Sequence, residues 1–101
     1  MVYRVTAAFP TTERYGLTAQ IRSAVTSIGA NIAEGCGRGT RADTNRCFQI
    51  AFASAVELLH HLITSLDLGF LSDAQFAELE GKLDPIRRML ASLMAKLRTA
   101  G

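Results

Sequence analysis

Apolar residues along this chain recur at spacings of three and four, the period of a helix packed on one side. Leu17, Ile21, Ala24, Val25, Ile28 and Ile32 share one arc of about 100°. Gln20, Ser27, Asn31 and Glu34 form a narrow polar stripe beside it. Gly35, Gly37 and Gly39 close the segment, because glycine accepts the left-handed backbone of a helix C-terminus. A second segment opens at Thr40–Asp43, a capping-box variant, and runs to about Leu68, with Gly69 as its stop. It carries two apolar rows, Phe48, Ala51, Ala55, Leu58 and Leu62, then Phe52, Val56, Leu59, Ile63 and Leu66. Together they span about 160°, more than one neighbouring helix covers, so two helices of this chain or another chain must cover them. Ser72 to Gln75 form a capping box. Phe76, Leu79, Leu83, Ile86, Leu90, Leu93 and Leu97 follow as a narrow seam for antiparallel or oligomeric packing. Pro85 lies off that seam and predicts a bend rather than a break. Ahead of these helices, Met1 to Ala8 is short and ends at Phe9 and Pro10, with a turn through Thr11, Thr12 and Gly16. No stretch alternates as a half-buried strand would. The pattern predicts an all-helical bundle, one domain over residues 1–101.

Composition sharpens this. A chain of 101 residues buries only about two-thirds of its unfolded surface and is marginal alone. Trp is absent, so the core must be Leu, Ile, Val and Ala, which suits helix on helix. The wide apolar arc therefore predicts a homo-oligomer. Net charge is +2, unevenly placed: residues 1–46 hold six Arg against three acids, and residues 47–101 hold five cations against six acids. Cys36 and Cys47 stand in different contexts, with no signal peptide and no run approaching the ~18 apolar residues of a membrane span. The expectation is a cytoplasmic protein with reduced thiols and no membrane contact.

Candidate chemistry is thin. Gly35, Gly37 and Gly39 suggest a phosphate loop, but Gly39 is followed by Thr40 and Arg41 where that loop needs Lys and then Ser or Thr. A helix cap with a tight turn explains them better. His60 and His61 are adjacent, point about 100° apart and cannot share one ion. No metal site and no cofactor are expected. Glu34, Asn31 and Ser27 are the nearest approach to a catalytic grouping, and such a stripe more often makes interhelical hydrogen bonds. Gln20, Ser27, Asn31, Glu34 and Gly35 are therefore assigned to structure, and no residue to catalysis. Arg22, Arg38, Arg41 and Arg46, with Arg14, form the most suggestive group. Arg41 and Arg46 flank a helix start, where backbone N–H groups attract anions, and phosphates suit such a patch. Internal ion pairs with Glu13, Glu34 and Asp43 are the competing account.

Several of these residues together resemble a family. Phe9 and Pro10, Glu13 to Leu17, Gln20 to Arg22, Ser27 and Ile28, Asn31 to Gly35 and Arg38 look like the signature of proteins encoded in intervening sequences of bacterial 23S rRNA genes. Ala53 and Ser54, with Glu57 and Leu58, resemble a second, weaker block. The resemblance implies an all-α, antiparallel (up-down) four-helix bundle that assembles into a homopentamer. It also implies kinship with accessory proteins of diversity-generating retroelements, which are thought to bind nucleic acid. The family opens with a longer amphipathic helix containing a Trp. Here only Tyr3 and Thr6 match its end, so the first helix is shortened. Ser23 stands where a second Arg usually follows Arg22, and Gly29 replaces a usual Pro. The expected function is a non-enzymatic homo-oligomer that binds RNA or DNA backbone. A protein-interaction scaffold without nucleic acid is the alternative, and a hydrolase or nuclease the remote one.

Overall fold

In the computed structural model, residues 2–11 and 16–99 are described. They form four helices: α1 (Val2–Thr6), α2 (Leu17–Cys36), α3 (Arg41–Asp67) and α4 (Asp73–Thr99). The fold is the all-α bundle with a short first helix, and no strand occurs among the described residues. Glu13, Arg14 and Tyr15, together with the Thr12 part of the expected turn, lie outside the described residues.

Helix α3 is the centre, packed against both α2 and α4. Ser27 meets Ser54 midway along the α2–α3 contact, and Gly35 meets Phe48 at its end, so these helices are antiparallel. Ala51 shares a cluster with Leu90, and Leu62 shares one with Leu79, which sets α4 antiparallel to α3. Burial follows the apolar rows. All five residues of the first α3 row are buried, as are Ile21, Ala24 and Ile28 of α2 and Leu79, Leu83 and Leu90 of α4. The second α3 row is only partly covered within the chain: Phe52, Leu59 and Leu66 are half-buried, and Val56 and Ile63 are exposed.

The element starts obey local chemistry. Thr40 Oγ1 accepts the Asp43 N–H at 3.2 Å and caps α3. Ser72 and Gln75 cap α4 reciprocally, at 3.0 and 3.1 Å. Gly69 ends α3 with φ +79°, a left-handed backbone that glycine alone adopts without strain. Helix α4 continues through Pro85.

Two expectations need correction. The end of α2 uses no left-handed glycine: Gly37 caps it at φ −96°, and Gly35 lies inside the helix, buried. Gly35 is there for space, because the Phe48 ring packs against it. Further, Arg41–Asp67 is long and apolar enough, by length and composition, to cross a membrane, contrary to the reading that no run approaches that size. The reason is that Cys47, Ala51, Ala53, Ala55 and Val56 between the larger residues raise the mean hydropathy of a segment that polar residues interrupt. Its first row is buried against α2 and α4, as in the core helix of a bundle.

Candidate nucleic-acid interface

The α2–α3 corner brings the arginine-rich segment together. Arg38 follows the C-terminus of α2, Arg41 opens α3, and Arg46 lies on its second turn. All three are exposed. Arg38 and Arg46 line a cleft of about 300 Å³ with Glu34, Asp43, Asn31, Cys47 and Ile50. The corner is tight because Gly35 lacks a side chain. A Cβ there would stand 2.7 Å from Cε1 of Phe48 and 3.1 Å from Cβ of Cys47, inside van der Waals contact. The Thr44 hydroxyl then donates to the Gly35 carbonyl at 3.0 Å, tying the first turn of α3 to the last of α2.

Within the cleft, Glu34 accepts from the Arg38 guanidinium one helical turn away. Contact with Cys47 and the charge of Glu34 both raise the Arg38 pKa above its already high ordinary value. Both partners of the ion pair are about half exposed, so solvent screens it. Among the described residues no ion pair engages Arg41 or Arg46, although Asp43 shares the cleft.

Arg22 does not join this cluster. It sits near the opposite end of α2, fourteen residues or about 21 Å of helix before Cys36. Its Nε donates to Thr6 Oγ1 at 3.0 Å, Nη2 donates to the Tyr3 carbonyl at 3.4 Å, and the guanidinium lies 4.8 Å from the Tyr3 ring centre. Arg22 thus fastens α1 to α2. Sequence spacing along one helix could not show that a neighbouring segment claims this side chain.

The polar stripe also divides. Ser27 Oγ and Ser54 Oγ are 2.8 Å apart across the α2–α3 contact. Asn31 donates to the Ser27 carbonyl at 2.9 Å and to its hydroxyl at 3.3 Å, within α2. Glu34 serves Arg38, and Gln20 is exposed. In the sequence Ser54 belongs only to the weaker family-like block and Cys47 is only a thiol, and neither is assigned there to the corner or to an interhelical contact. Their signal was position: both interrupt or precede the buried α3 row at helical spacing. Both cysteines are free thiols, Cys36 exposed and Cys47 buried. His61 pairs with Glu57 at 3.2 Å, and no cluster of metal-ligating side chains occurs among the described residues.

The 23S rRNA-intervening sequence protein family matches residues 1–92. A crystal structure of a protein of unknown function from the S23 ribosomal protein family of Bacteroides thetaiotaomicron superposes with a TM-score of 0.82 at 25% identity. The match covers 92% of this chain and 84% of that one. No curated protein sequence matches the chain.

Proposed function

This chain belongs to the 23S rRNA-intervening sequence protein family, and from that premise we propose a non-enzymatic, homo-oligomeric bundle that binds the backbone of RNA or DNA. The carrying observation is the α2–α3 corner. Arg41 and Arg46 are exposed and outside any ion pair among the described residues, beside the N-terminus of a 27-residue helix. One chain at +2 attracts a polyanion weakly. A homopentamer, the state that the family resemblance favours, carries five times that charge, or +10, and repeats the corner around its axis. The part of the second α3 row left exposed, Val56 and Ile63, supplies the motive for assembly. The cleft offers arginines to phosphates and no aromatic for base stacking, so the binding proposed is to the backbone and independent of sequence. A cytoplasmic location suits the two free thiols.

Light scattering combined with a salt titration on structured RNA, single-stranded DNA and duplex DNA tests the reading. The expected result is an oligomer whose affinity falls linearly with log salt, alike for all sequences. An oligomer without measurable binding at low salt favours the protein-interaction scaffold instead. A monomer rejects the assembly.

A further inference from the structure

Helix α4 is charged unequally along its length. Up to Asp84 it carries Asp73, Glu78, Glu80 and Asp84 against Lys82. Beyond Asp84 it carries Arg87, Arg88, Lys96 and Arg98 and no acid. Because α4 runs antiparallel to α3, its basic half returns to the α2–α3 corner. Leu79 clusters with Leu62, and Leu90 with Ala51, so the register is the same at both points. That register sets Arg98 level with Asp43, between Arg41 and Arg46. The corner end of the bundle thus gathers seven cations against two acids, Glu34 and Asp43, a balance of +5. The described residues of the far end hold three cations, Arg4, Arg22 and Lys82, against six acids, a balance of −3. Neither the net charge of +2 nor the balance of either half of the chain shows this separation, because only the fold brings α4 back to the corner.

We infer that the whole corner end of the bundle, and not the α2–α3 corner alone, meets the phosphate backbone, with Arg98 of α4 as a third contact beside Arg41 and Arg46. The inference rests on the nucleic-acid reading above. Arg98 is exposed, and no ion pair among the described residues engages it. It lies about 160° round α4 from Lys82, which lines the apolar groove between α2 and α4, so its exposure does not depend on that groove. Arg87 and Arg88 share Asp84 at 2.7 and 2.9 Å, so they add less to the attraction. Helices α3 and α4 pack directly, and the axes of packed helices lie about 8–10 Å apart. Each strand of a duplex carries one charge per about 3.4 Å, so the three arginines fall within the span of a few phosphates.

The acidic end does not cancel this field. Glu80 and Arg98 are eighteen positions apart on α4, about 27 Å of helix, whereas the Debye length at 0.1 M salt is about 10 Å. A polyanion at the corner end therefore meets the local +5 and not the molecular +2, and it approaches the bundle end-on. Each chain carries this surface by itself, before any charge is summed over copies.

Salt titrations on a random-sequence DNA duplex test this, with light scattering to follow assembly. Arg98→Gln should weaken binding and reduce the salt slope by about 0.9 for each copy that contacts the duplex. Its melting temperature should not move, since Arg98 is exposed. Glu78→Gln with Glu80→Gln is the control: both residues are exposed at the far end, and the pair removes two negative charges there. It should leave affinity and slope unchanged. If Arg98→Gln binds like the parent chain while Arg41→Ala weakens binding, the polyanion is confined to the corner, and the inference is wrong while the nucleic-acid reading stands. If the control steepens the slope, overall charge governs binding and the corner end is not its site. If the assembled mass falls both with salt and with the control, the basic end holds the acidic end of another copy, and the inference fails. If the unsubstituted chain shows no binding at low salt, the inference and the nucleic-acid reading fall together.

Discussion

Phe48 occupies the space that a side chain on Gly35 would need: its Cε1 lies 2.7 Å from the position of a Cβ. Both residues are buried at the α2–α3 corner, so the ring has little freedom to move away. Alanine is favoured over glycine in a helix by about 1 kcal/mol. Overpacking a buried contact costs about 1–3 kcal/mol. The second effect should win, and Gly35→Ala should lower stability by about 1 kcal/mol, or about 4–8 °C in melting temperature. Gly81 of α4 is the control, since a Cβ there meets nothing within 4 Å. Gly81→Ala should stabilise by about 0.5–1 kcal/mol. Equal signs for the two substitutions in thermal melts would contradict the close approach.

The Ser27–Ser54 contact should behave as a coupled pair. Its hydroxyls are 2.8 Å apart, and Ser54 is 9% exposed. Ser27→Ala strands the Ser54 hydroxyl and removes one acceptor of Asn31, which should cost about 1–2 kcal/mol. Ser27→Ala with Ser54→Ala removes both partners and should cost less than the sum of the single changes. Urea melts of the four proteins in the double-mutant cycle measure this, and strict additivity would deny the coupling.

How much of this was legible in the sequence differs by kind of interaction. Short-range rules carried well. The Thr40 and Ser72 caps, the Gly69 stop and the buried first row of α3 were all readable, because each depends on residues a turn or two apart. Long-range claims were not. Arg22 reads as one more surface cation until Thr6 and Tyr3 of α1 fold back on it. Gly35 reads as a cap until Phe48 arrives from another helix. Glu34 reads both as an interhelical partner and as an ion-pair partner of the arginines, and Arg38, one turn away, decides for the second. In each case a neighbour distant in sequence, or a nearer competitor, decides the role.

The Glu34–Arg38 pair makes Glu34 an opponent of anion binding. Its carboxylate neutralises Arg38 and adds negative charge to the cleft that also holds Arg46. Glu34→Gln should raise affinity for single-stranded DNA several-fold at low salt and steepen the salt dependence. The pair is half exposed, so melting temperature should barely change. Unchanged affinity and slope would place nucleic acid elsewhere on the protein.

The arginines should divide by position along α2 and α3. Arg41 and Arg46 stand at the corner, exposed and outside any ion pair among the described residues. Arg41→Ala and Arg46→Ala should weaken binding to all sequences alike and reduce the salt slope by about 0.9 for each duplex-DNA phosphate no longer neutralised. Neither side chain is part of the buried core, so stability should hold. Arg22→Ala should do the reverse. It breaks the hydrogen bond to the buried Thr6 hydroxyl and the stacking on the Tyr3 ring, costing about 1–2 kcal/mol. The salt slope should stay where it was, because Arg22 lies about 21 Å of helix from the corner and its guanidinium is already engaged by α1. Salt titrations and thermal melts on the same three variants separate the roles. A slope that falls with Arg22→Ala and not with Arg41→Ala or Arg46→Ala would move the binding surface to the α1 end of the bundle.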